Sequence, residues 1–163
     1  MEFTVSYNEA IQRCMMLTSF EGKNNTDGEG ESLFSETVIT KQDRPLITDY
    51  LNCGAMIIEE SIARLVLSSS YSDDTDGQVW SLQLRLSDRW NGNRTDFTQY
   101  LQEALVSFAL SKWYDLKWPD KVAKYVTLWE GSLNRIVSNA FRRSQPVKKP
   151  NKAAEPTITI VNS

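Results

Sequence analysis

The residues with the clearest chemical potential lie in Asp73-Asp74-Thr75-Asp76-Gly77. Closely spaced carboxylates before a glycine have the look of a calcium loop. With Gly77 in the sixth position of such a loop, Ser72 falls at the first and Gln83 at the twelfth. Both essential carboxylates are then missing, and the segment reads as a solvated turn. Glu59-Glu60 could belong to a carboxylate metal site in a helical bundle, but those sites also take Glu-x-x-His pairs, and the chain has no histidine. That absence also removes Ser–His and Cys–His nucleophile pairs, His-ligated zinc and the usual general base near neutral pH. Cys14 and Cys53 lack metal-clip spacing and read as small buried apolar residues in a reducing compartment. No phosphate-cradling glycine motif is present. Two-carboxylate hydrolysis needs no histidine, yet no acidic residue sits in a recognisable constellation. No catalytic, cofactor-binding or metal-binding residue is nominated, and the chain is expected not to be an enzyme.

Binding chemistry is better represented. Arg142, Arg143, Lys148, Lys149 and Lys152, opposed only by Glu155, make a basic stretch interrupted by Pro146, Pro150 and Pro156. The prolines favour extended backbone. Thr157, Ile158, Thr159, Ile160 and Val161 then switch to strong strand formers. Five strand residues cannot stand alone, so they should add to a sheet edge, whether of their own chain or a neighbour's. These ten residues are the candidate partner-binding set. The basic ones could also neutralise phosphates, although no aromatic is interleaved for stacking on bases.

The 163 residues divide unevenly in charge: 14 acidic against 5 basic through Leu84, then 7 acidic against 13 basic from Arg85. Identical subunits in a ring could set one copy's acidic side against the next copy's basic side. The N-terminus lacks the basic and apolar regions of a signal peptide, and no run reaches the length of a membrane span. The protein is expected to be made in a cytoplasm.

Hydrophobic periodicity supplies the elements that position these groups. Ser6-Tyr7-Asn8-Glu9 reads as a capping box ahead of a short helix carrying Ile11, Met15, Leu17 and Phe20, ending near Glu21-Gly22. Residues 23–43 form an acidic loop, in which Leu33-Phe34 and Val38-Ile39 could anchor a short strand or docking segment. A long helix should run from Asp43 to Leu67, its stripe including Leu46, Leu51, Gly54, Ile57, Ile58 and Leu65. Gly54 on that stripe suggests close approach of another helix. Ser68 to Gly77 reads as a turn cluster, and Gln78 to Ser87 alternates as a half-buried strand within a hairpin over 78–94. Helices over Asp96–Tyr114 and Asp120–Phe141, joined by the Trp118-Pro119-Asp120 corner, should pack antiparallel. The expected fold is mainly α: an antiparallel helical bundle over 1–141 with a β-hairpin or strand insertion, and an extended C-terminal arm over 142–163.

This order of elements resembles the head-to-tail connector (adaptor, or head-completion) proteins of tailed bacteriophages. Leu46–Val66, Asp96–Trp113 and Asp120–Phe141 carry the correspondence as the helical body, and Arg142–Ser163 as the arm. The resemblance implies a non-enzymatic structural subunit of the virion neck, in a ring of about twelve copies. It implies contacts to the portal protein and to tail or neck proteins, with DNA passing the lumen without sequence-specific recognition. The alternative from another class is a DNA-binding packaging or regulatory protein using its basic tail.

Overall fold

A computed structural model describes residues 1–26, 28–73, 79–90 and 92–142. The chain opens with a strand, β1 (Glu2–Ser6), whose alternation buries Phe3 and Val5 and exposes Glu2 and Thr4. The Ser6 side chain then accepts from the Glu9 amide at 3.3 Å and starts α1 (Tyr7–Asn24). α1 runs past the expected stop at Glu21-Gly22. Its buried stripe is Tyr7, Ala10, Ile11, Cys14, Thr18 and Glu21, whereas Phe20, expected inside, is exposed.

Residues 23–43 are far more ordered than a simple loop. A bridge between Thr26 and Ser32 closes a tight excursion, and α2 (Phe34–Thr37) follows where a strand was a candidate. The segment folds back over the end of α1 at Gly22. A Cβ there would lie 2.8 Å from Phe34 Cα, so a glycine is required for close approach. Ile39 is the anchor the sequence suggested: it is buried, and its amide donates to Thr18 Oγ1 at 3.0 Å. A 3-10 turn (Lys41–Asp43) then leads into α3 (Arg44–Ser61). Asp43 does not cap α3. Its carboxylate instead accepts from the Thr40 amide at 2.8 Å, as half of a capping box on the 3-10 turn.

α3 ends at Ser61, not Leu67. After the turn of residues 62–65 the chain enters β2 (Val66–Asp73), so the serine-rich stretch from Ser68 to Asp73 is strand and not turn. Serine's weak preference for strands hid this element, which forms because β3 (Val79–Leu86) offers it a partner. The hairpin is therefore β2–β3, and residues 87–93 are the connection to the next helix. The sheet is antiparallel with order β1-β3-β2. Phe3 opposes Leu84 and Val5 opposes Leu82, and these four side chains face the core.

α4 (Arg94–Lys117) is the central helix, with both ends of its stripe buried from Phe97 to Tyr114. Its cap is Asn93, not Asp96: the Asn93 Oδ1 accepts from the Thr95 amide at 3.0 Å and the Asp96 amide at 3.3 Å. Asn93→Ala should cost about 1 kcal/mol, read as a thermal-melt shift of a few degrees, while Asp96→Ala should cost less because its side chain closes no cap bond. After a 3-10 corner at Pro119–Lys121, α5 (Val122–Ala140) returns along α4. Tyr114 stacks on Tyr125 (5.3 Å), Phe108 meets Trp129 edge-on (4.9 Å) and Arg135 lies over Tyr100 (5.7 Å). One helix is thus read in reverse by the other, the expected antiparallel pair. Gly54 is where α3 meets α4: a Cβ there would sit 3.1 Å from the Phe108 ring. The fold is a mainly helical bundle with a small antiparallel sheet.

Candidate interaction site

Two surface regions gather groups that core packing alone does not use. The first surrounds Glu21. The helical repeat of α1 carries this carboxylate into the junction with α4 and α5, where it is almost completely buried. Its Oε1 accepts from the Tyr125 hydroxyl at 3.0 Å and pairs with the Lys124 ammonium. Its Oε2 and the Tyr114 hydroxyl are both buried without a well-formed hydrogen bond, although the phenol lies close enough to help stabilise the carboxylate charge. Burial pushes the Glu21 carboxyl upward, but Lys124 and the Tyr114 and Tyr125 hydroxyls together outweigh it and hold the pKa below the usual carboxylate range. Burial, and then the Glu21 charge, drive both tyrosines far upward. An ionised, weakly basic carboxylate between two neutral phenols suits a lock between helices better than proton transfer at neutral pH. Beside the lock lies a cleft of about 460 Å³ whose rim includes Arg13, Glu103, Lys124 and Arg135.

The second region lies on the opposite side of α3 from the core. Cys53, Met56 and Ile57 project from one face, and with Ala63 and Val66 they line a shallow groove of about 670 Å³ bordered by Glu59 and Glu60. Met56 is 64% exposed, and Leu67 at the start of β2 is 61% exposed. These values correct two expectations: Ile57 is not a core residue of α3, and Cys53 is exposed while Cys14 alone is buried. The α3 stripe is wider than one face, and only Ile47, Leu51, Gly54, Ala55 and Ile58 of it are buried.

β2 borders this groove and is an outer strand of the sheet. Its inward residues, Ser69 and Tyr71, turn toward α3 and both donate to Glu59, at 2.9 and 3.1 Å. Glu59 ties the edge strand to the helix. Register shifts at both ends of β2 leave Ser68–Ser72 as its straight stretch.

The arm departs beside this groove. Phe141 sits in a neighbouring hollow with Glu60, Ser61, Ala63 and Arg64, two of which also line the groove. Of the ten candidate partner-binding residues, Arg142 is described: it is exposed, and its amide donates to the Asn139 carbonyl at 3.4 Å. Arg143, Lys148, Lys149, Lys152 and Thr157 to Val161 lie outside the described residues.

No family model, curated protein or solved structure matches the chain. Its surfaces must be weighed on their own chemistry. Among the described residues, no group of three or more Cys, Asp or Glu is placed to hold a metal ion, and no helix is long and apolar enough to cross a membrane. The groove escaped the sequence because Ile57 falls on the periodic stripe of α3 and Cys53 reads as a buried residue, so neither marks an exposed face. Glu21 could have been found: in register with Tyr7, Cys14 and Thr18, it falls on the buried side of its own helix.

Proposed function

We propose that the chain is a structural ring subunit of a phage neck, a head-to-tail connector that joins the portal to the tail through its loop and C-terminal arm. The observation that carries this reading is a juxtaposition. A basic, proline-spaced arm ending in strand formers leaves the body beside an exposed apolar groove and an outer strand. A folding core consumes its own apolar groups, whereas an assembly subunit keeps some for its neighbours. The acidic N-terminal half and basic C-terminal half suit head-to-tail contact between copies, which closes into rings.

The test is assembly in the presence of portal-bearing particles, followed by electron microscopy. The full chain should decorate the portal vertex as a ring, and removal of residues 145–163 should abolish decoration. Unchanged decoration by the truncated chain would end the arm's role. Salt-sensitive binding of duplex DNA that disappears when Lys148, Lys149 and Lys152 become Glu, without any vertex decoration, would move the assignment to a DNA-binding packaging or regulatory protein.

A further inference from the structure

We infer that the outer edge of β2, together with the α3 groove beside it, is the acceptor for the C-terminal strand Thr157–Val161 of a neighbouring copy of this chain. The inference rests on the ring-subunit reading and names the contact that would join its subunits. Among the described residues β2 pairs only with β3, so the N–H and C=O groups on its far side have no strand partner. The other outer strand, β1, is less suited: Phe3 packs against Phe97 of α4, and Arg94 reaches the Glu2 carbonyl. The straight stretch Ser68–Ser72 spans five residues, as does Thr157–Val161. An added strand would place Ile158 and Ile160 on one face, over Met56 and Ile57, and its threonines on the other. The donor's Lys148, Lys149 and Lys152 would approach a rim carrying Glu60.

The length of the arm is sufficient for it to reach a neighbouring copy. Residues 142–156 precede the strand-forming run, and a spacer of that length can span at most about 45 Å at ~3.1 Å per residue. A body of this size is about 40 Å across. The arm starts at the rim of its own groove, and a spacer of that reach is long enough to carry Thr157–Val161 to the same groove of an adjacent copy.

The experiment uses the full chain and its native groove thiol. Ile158→Cys and Ile160→Cys are made separately and mildly oxidised, with Cys53 as the partner; Cys14 stays out of the reaction because burial pushes its thiol up to about 12. The expected result is a ladder of disulfide-linked dimers and higher species on a non-reducing gel, abolished by Cys53→Ser. In a second arm, Ile158→Asp with Ile160→Asp should raise Cys53 labelling by a small thiol reagent about tenfold, the loss of about 1.4 kcal/mol of docking. Cross-links confined to single chains, or neither cross-link nor labelling change, overturn the inference. Closed rings in the electron microscope without the cross-link also overturn it and leave the ring reading standing. Cross-linked chains that never close support the acceptor site and end the ring reading.

Discussion

Trp113→Ala should lower stability by about 3–5 kcal/mol and, in the same variant, loosen residues 33–40. Trp113 is almost fully buried on α4, with the Lys117 ammonium over its ring at 5.4 Å. Its indole Nε1–H donates to the Thr37 carbonyl at 2.7 Å, across the interface between α4 and α2. Removing the side chain opens a cavity in the core and also withdraws the donor that holds the end of α2. For a chain of this length the melting temperature should fall by roughly 6–20 °C. Trp113→Phe separates the two effects. It keeps most of the ring volume but not the N–H, so stability should fall by about 1–2 kcal/mol. Hydrogen exchange in 33–40 should nevertheless rise nearly as much as in the alanine variant. Equal exchange in wild type and Trp113→Phe would show that Ile39 and Gly22, not the indole bond, hold this segment down.

That segment also shows where sequence reasoning stops. Its composition, with Asp27-Gly28 and Glu29-Gly30-Glu31, says loop, and the partners that pin it to the body lie elsewhere in the chain: Thr18, Gly22 and Trp113. Periodicity sees one helix at a time, so it found α3, α4 and α5 but not the folding of residues 32–40 across α1. The same blindness erased β2. Val66 and Leu67 continue the spacing of α3, and nothing in Ser68-Ser69-Ser70 announces a strand until Leu82 and Leu84 of β3 lie opposite. What was legible were groups whose requirement is local. Ser6 has only to meet an amide three residues away, Trp118-Pro119 must end a helix, and the alternation of Leu82, Leu84 and Leu86 needs only one buried face. Gly54 was legible for another reason: a glycine amid Leu51 and Ile58 has no use on a stripe unless another helix comes close, and Phe108 does. The groove was illegible because Met56 and Ile57 on an exposed face look the same as core residues until the fold decides which face is covered.

Glu21→Ala should cost about 2–4 kcal/mol at neutral pH, the second large effect expected of a single substitution. The change leaves the buried Tyr125 hydroxyl without its acceptor and frees Lys124, whose side chain is half exposed and recovers much of its hydration. Glu21→Gln keeps an acceptor for Tyr125 and should cost less. Its difference from wild type should depend on pH with a definite sign. Because the folded carboxyl titrates below its ordinary range, the ionised group stabilises the native state fully above the unfolded value of about 4.3. That contribution is lost as the pH falls through the folded value. Melts of wild type and Glu21→Gln should therefore differ by a constant amount from pH 7 to about pH 5 and converge at lower pH. Lys124→Met tests the balance from the other side. With the ammonium gone, burial is opposed only by the two phenols, and the carboxyl pKa must rise relative to wild type. The variant should then lose less stability than wild type between pH 7 and pH 4. A pH-independent gap between wild type and Glu21→Gln, together with parallel pH profiles for wild type and Lys124→Met, would mean that Glu21 acts as a neutral spacer between α1, α4 and α5, and that no charge is locked at their junction.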